Sequence, residues 1–227
     1  MILKARIALT GLLLAATLVG CSSNVTLQTP TIPRPLTEKM PVSIGLRMPP
    51  NFQSFVHEEE VYGRSEWTID LGNANAALFT QLFGFMFEKV TVLNPDDDPQ
   101  LLDIDALIEP SIDAFEFAVP NQSNSESFAV WVRYRLRVYD AEGTLVSNWP
   151  VSAYGKSETE SLSNSEALKR AAILAMRDAA ALIIMKLDAT TGISAMADRE
   201  TPAAAPAIEV PPAAAAEDDV QATIVEE

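Results

Sequence analysis

Residues 128–139 read as a strand, and from 132 to 138 apolar and polar side chains alternate without a break. Val130, Val132, Tyr134, Leu136 and Val138 fall on one side, and Trp131, Arg133, Arg135 and Arg137 on the other. A period of two held this long is a strand with one buried and one wet face, so the chain must build a sheet and then cover one side of it. Asp140-Ala141-Glu142-Gly143 follows as a hairpin turn, with glycine placed for positive φ. It predicts a partner strand through Leu145, Trp149, Val151 and Tyr154.

Other strands carry the same mark. Val42, Ile44, Leu46 and Met48 alternate with Ser43, Gly45 and Arg47, and Pro49-Pro50 ends that run. Thr91-Val92-Leu93 is a short strand stopped by Asn94-Pro95. Residues 106–118 place Ile108, Pro110 and Ile112 opposite Glu109, Ser111 and Asp113, and the switch to Phe115 and Phe117 predicts a bulge. Pro110 points to an edge or a bulge as well. Residues 51–72 read as a long polar connection carrying His57, Glu58-Glu59-Glu60 and Tyr62-Gly63-Arg64.

Two helices complete the set. Asn73 is the expected cap of the first, in which Phe79, Leu82, Phe83, Met86, Phe87 and Val90 recur at helical spacing. Gly84 weakens it by roughly 1 kcal/mol relative to alanine, which suggests a close approach. The second opens on the capping-box pattern Ser163-Asn164-Ser165-Glu166 and continues through Leu168, Ala171, Ala172, Ala175, Met176, Ala179, Leu182 and Ile183. The order predicts an α+β fold: a single two-layer sandwich, with a mixed or antiparallel sheet of about four to five strands and two helices on one face.

Composition divides the rest. The folded domain is expected over 39–188, a size that suits one core. Residues 21–38, with Pro30, Pro33 and Pro35, read as an extended spacer. Residues 189–227 turn to alanine, proline and acid and are expected to be disordered. Residues 1–20 have the form of a signal peptide, with Lys4 and Arg6 ahead of an apolar run at 7–19 too short to span a hydrocarbon core of roughly 30 Å.

That leader ends in Leu18-Val19-Gly20-Cys21, which resembles the lipobox of bacterial lipoproteins. The resemblance implies cleavage before Cys21 and covalent diacylglycerol and N-acyl chains on it, with no other cofactor. Several acyl chains hold a protein stably where one holds it marginally. Ser22 rather than aspartate after the cysteine implies sorting to the outer membrane, facing the periplasm. Residues 42–187 are similar in arrangement to small envelope lipoproteins, of the kind of the TolB amino-terminal domain and ABC-type transport auxiliary lipoproteins. That likeness carries no signature residue beyond Cys21.

The residue inventory excludes much chemistry. The chain has one histidine and one cysteine, so a nucleophile–base pair has nothing to draw on beyond His57, expected as a solvated loop residue. A tetrahedral zinc site lacks ligands, and Asp96, Asp97, Asp98, Asp103 and Asp105 lack calcium-loop spacing, so no metal is expected. A formal net charge of −15 argues against nucleic acid. The expectation is a non-enzymatic lipoprotein with the membrane and an envelope protein as partners. The alternative is a lipid- or ligand-binding auxiliary subunit of an ABC-type transporter, with a cavity lined by Phe79, Phe83, Met86 and Phe87. Trp131, Arg133, Arg135 and Arg137 form the candidate partner face, unless the arginines are spent on a ladder with Glu109, Asp113 or Glu116.

Overall fold

The computed structural model describes residues 21–62, 65–120, 122, 125–159 and 162–200. The signal peptide and residues 201–227 of the tail lie outside the described residues. In chain order the elements are β1 (Cys21–Thr26), β2 (Met40–Arg47), α1 (Pro50–Gln53), β3 (Val56–Val61), β4 (Ser65–Asp70), α2 (Gly72–Met86), β5 (Phe87–Leu93), β6 (Ala106–Ala118), β7 (Ser127–Asp140), β8 (Leu145–Glu158) and α3 (Asn164–Thr191). Short 3-10 segments stand at Pro99–Leu101 and Ile193–Glu200.

The alternating runs assemble one five-stranded sheet in the order β5-β2-β6-β7-β8. β2 runs parallel to both β5 and β6, whereas β6, β7 and β8 are antiparallel neighbours. The register of β6 slips between Ile112 and Ala114, at the bulge its pattern predicts. Pro110 is tolerated because β2 pairs with β6 only as far as Ile108, so no neighbour on that side needs its missing N–H. Gly143 sits at φ 83° in the hairpin turn.

One face of this sheet is dry. Phe128, Val130, Val132, Tyr134, Leu136 and Val138 are all buried, and α2 and α3 lie over them. α3 comes so close that a Cβ on Gly155 would stand 2.1 Å from the Ala171 carbonyl oxygen, and Ala171, Ala172 and Ala175 have no exposed surface. Ser163 caps α3, its Oγ accepting from the Glu166 amide at 3.3 Å. α2 is opened differently from the expectation: Asn73 is inside the helix, and the Asp70 carboxylate takes the Gly72 amide at 3.0 Å. It also ends earlier, at Met86, and Phe87 and Val90 belong to β5. A Cβ on Gly84 would meet open space, so that glycine serves no close approach.

The expectation of a single sheet is corrected by a second one. β1, β4 and β3 form a three-stranded sheet in that order, β1 parallel and β3 antiparallel to β4. The segment read as a polar connection is therefore a hairpin, and its inner face carries Trp67 and Ile69, both buried. Trp67 packs on Phe117 and Phe128, with centroids at 5.8 and 5.7 Å, so this small sheet joins the helices in covering the dry face. The expected spacer is also part of the fold: Val25, Leu27 and Ile32 are buried, and the Leu27 amide donates to the Asp70 carbonyl at 2.9 Å. At the other end α3 continues to Thr191, Gly192 turns the chain at φ 65°, and Ile193 and Met196 are buried. Folded structure thus continues past 188, because two large apolar side chains there find a place beside β2.

Candidate functional site

The side chains of β6, β7 and β8 that point away from the helices form the candidate face. Register decides its membership. Trp131 stands opposite Glu116 on one side and Tyr154 on the other; Arg133 stands opposite Ser152, Arg135 opposite Pro150, and Arg137 between Glu109 and Asn148. Trp131 and Tyr154 are each 44% exposed, with ring centroids 5.3 Å apart at 47°. A cross-strand aromatic pair stabilises the sheet by itself, and Trp and Tyr are also the side chains enriched at buried contact centres.

The arginines have separate fates. Arg135 grips Asp113 with Nε and Nη2, the former at 3.0 Å, and its Nη1 donates to Asn148 Oδ1 at 3.0 Å. Arg133 Nε lies 3.8 Å from the same carboxylate, but its side chain stays half exposed. The hydrogen bond from Arg135 holds the Asp113 carboxyl below the ordinary aspartate range; partial burial opposes this, and the charges of Arg135, Arg133 and Arg137 add to it. Arg137 keeps a buried Nε without a partner among the described residues, and its in-register neighbour Glu109 instead accepts from Arg47 Nε at 2.5 Å. Burial, reinforced by the Glu109 charge, raises the Tyr139 hydroxyl pKa beside them.

The stripe is thus one tight pair at Arg135, one loose pair at Arg133, and Arg137 with its Nε unpartnered among the described residues. Asp113 engages Arg135 and leans on Arg133, while Trp131, Tyr154, Arg133 and the exposed Lys156 remain turned to water. An aromatic pair flanked by two cations can take a partner that brings apolar surface ringed by carboxylates. Tyr154 and Lys156 escape a reading that groups Tyr154 with Val151. The shift in register between Val138 and Tyr139 hides them, because rungs counted from the Gly143 turn would set Ala153 rather than Tyr154 opposite Trp131.

The other candidates are placed elsewhere. His57 is in β3, not a loop; its Nε2 is 3.0 Å from the Glu59 carboxylate, and its ring packs on Phe115 and Phe117. Asp97 and Asp98 accept from the backbone amides of Asn94 and Gln100, and Asp105 accepts from that of Ser43 at 2.7 Å. Among the described residues no trio of histidine, cysteine and carboxylate side chains is grouped to hold a metal ion. Phe79, Phe83 and Phe87 have no exposure; Phe79 meets Phe83 edge on and Phe83 meets Phe87 at a tilt, both with centroids at 5.8 Å, while Phe79 also meets Phe52 and Tyr134 at 5.2 Å. A groove of about 300 Å³ lined by Ile32, Pro33, Arg177, Asp178, Ala180, Ala181 and Ile184 opens on the surface and is not lined by these rings. Cys21 is the first residue of β1, paired in register with Ser65.

No family model matches the sequence, and no curated protein does. Solved structures resemble the fold at a distance. A Xanthomonas campestris protein of the DUF330 family matches with TM-score 0.49 at 13% identity, over 79% of this chain and 100% of its own. An uncharacterized lipoprotein B from Nitrosomonas europaea matches with TM-score 0.42 at 12% identity, over 73% and 96%. A minor lipoprotein from Acinetobacter baumannii matches with TM-score 0.37 at 10% identity, over 67% and 94%. Likenesses this distant establish neither family nor function.

Proposed function

We propose that this chain is a non-enzymatic lipoprotein, held in the outer membrane by acyl chains on Cys21 and acting in the periplasm as an accessory or assembly component of the envelope. The observation that carries the reading is the meeting of Leu18-Val19-Gly20-Cys21 with the first residue of a folded sheet. Cleavage and acylation there would leave the domain intact from its first strand. Among the described residues no helix is long and apolar enough to cross a membrane, so acyl chains are the anchor this reading requires. Cys21→Ser is expected to abolish incorporation of labelled fatty acid and release the protein from the membrane fraction. Label retained by the variant would remove the assignment.

The Trp131, Tyr154 and Arg133 face is the surface offered to an envelope protein. Arg133→Glu is expected to leave the melting temperature close to wild type, because this arginine is loosely held, and to weaken co-purification of the partner by reversing charge at the contact. Undiminished capture would exclude this face. The transport-auxiliary reading asked for a ligand cavity along Phe79, Phe83 and Phe87, and those rings fill their own space.

A further inference from the structure

A tethered domain normally keeps some slack between lipid and fold, and this one has none. Every residue from Cys21 to Thr26 has a partner in β4, and Val25 and Leu27 are buried immediately beyond. Because β1 and β4 are parallel and β3 is antiparallel, Cys21, Ser65 and Val61 stand together at one end of the small sheet. The turn that follows Val61 opens with Tyr62, which is 63% exposed and has φ 57°, a backbone region that favours glycine. A large aromatic kept in that conformation, in water, beside the acylation point is a residue with something to meet.

The two sheets agree on direction. Trp67, near the Cys21 end, contacts Phe117 and Phe128, whereas His57, farther along, reaches back to Phe115 at 5.1 Å as well as to Phe117 at 5.9 Å. The connection from β6 to β7 therefore lies toward the Cys21 end, and the β7–β8 hairpin lies at the opposite one. That far end gathers Asp140 and Glu142 with the 94–105 connection, tied together by Gln100 Nε2 donating to the Glu142 carbonyl at 3.2 Å. The connection itself brings Asp96, Asp97, Asp98, Asp103 and Asp105.

Resting on the reading of Cys21 as acylated, the geometry points to the phospholipid leaflet itself as a binding partner of this end of the fold. The Cys21 end of the three-stranded sheet sits in the headgroup layer, Tyr62 enters it, and the carboxylate-rich end is turned away. A strand rises about 3.3 Å per residue, and the headgroup layer is of order 5–7 Å deep, so the first one or two rungs are inside it. Tyrosine is at home there, with its ring against acyl chains and its hydroxyl in water. Turning the acidic end outward places most of its charge beyond a Debye length of about 8 Å from lipid phosphates. Glu60 and Glu66 face each other one rung above Val61 and Ser65, and the exposed Glu126 and Glu158 stand beside the β6–β7 connection at this same end, so carboxylates ring it and limit how deep the sheet can settle. The contact therefore suits zwitterionic headgroups better than anionic ones.

The test uses the full lipidated protein in phosphatidylcholine vesicles carrying a headgroup nitroxide. A thiol-reactive fluorophore is placed on Tyr62→Cys or on Glu142→Cys, the sulfur of Cys21 being blocked by its lipid. Quenching at 62 is expected to exceed quenching at 142 several-fold. A flexible Gly/Ser insert of about twelve residues after Cys21, spanning roughly 20 Å, is expected to bring 62 down to the level of 142. Equal quenching at both sites in protein that floats with the vesicles overturns the docking and leaves the anchor standing. Protein that does not float overturns the anchor and the docking with it.

Discussion

Tyr134 carries the most consequential polar group in the core. Its ring lies among Phe52 and Phe79, and its hydroxyl donates to Asn75 Oδ1 at 2.8 Å, with both residues fully buried. Burial raises the hydroxyl pKa well above the ordinary tyrosine value, so it stays a neutral donor at any pH the fold experiences. The bond ties β7 to the first turn of α2, and the Asn75 Nδ2 has no partner among the described residues. Removing the donor would leave Asn75 with neither end satisfied. Tyr134→Phe is therefore expected to lower stability by about 1–3 kcal/mol in denaturant unfolding, and a variant as stable as wild type would show that the pair contributes nothing. At this scale sequence reading succeeds unevenly. Alternation places Tyr134 inward and Arg135 outward, but it cannot say that a residue in a helix 59 positions away supplies the acceptor. Nor can it say that Arg135, central in the stripe, is bound on both sides while Arg133 is not. Those outcomes depend on a bulge between Ile112 and Ala114 that turns Asp113 toward both arginines.

Elements were legible wherever the pattern was long and pure. The 13 residues of β6 and the 14 of β7 stand out because each buries a whole face. β4 is hidden although Trp67 and Ile69 alternate with Glu66, Thr68 and Asp70, because an acidic run in β3 next to it reads as loop. β3 tolerates Glu58 and Glu60 only because they point outward and are exposed. The helix glycine shows how propensity and packing diverge. Gly84 looks like a contact glycine and touches nothing, whereas Gly155, in a strand, lies against the α3 backbone with Ala171 oxygen and Ala175 nitrogen inside 2.5 Å of a notional Cβ. Paired substitutions separate the two. Gly84→Ala is expected to stabilise by about 0.5–1 kcal/mol through helix propensity. Gly155→Ala should destabilise by about 1–3 kcal/mol, because α3 cannot yield without lifting off the sheet. Thermal melting of both variants measures this, and a harmless Gly155→Ala would mean that α3 packs less closely than described.

For the whole molecule, the decisive difference between expectation and structure concerns what belongs to the fold. Proline at 30, 33 and 35 makes 21–38 look like a tether, and composition alone cannot reveal that Val25, Leu27 and Ile32 are all buried in the core. β1 touches both β4 and α3, so it closes the gap that the small sheet would otherwise leave beside the long helix. Removing it would open the core and strip β4 of one neighbour along its full length. Each of those three side chains contributes about 1.5–3 kcal/mol by burial, and a domain of this size has a net stability of only about 5–15 kcal/mol. A chain beginning at Thr37 is therefore expected to be largely unfolded at ambient temperature, while one beginning at Cys21 without lipid folds normally. Circular dichroism melts of the two decide it. If the shorter chain keeps a cooperative transition within a few degrees of the longer one, 21–36 is a tether after all, and the domain is free to swing on its anchor. If it does not, the lipid-bearing residue and the core are parts of one rigid body. Position in the membrane and stability of the fold then rest on the same segment, 21–36.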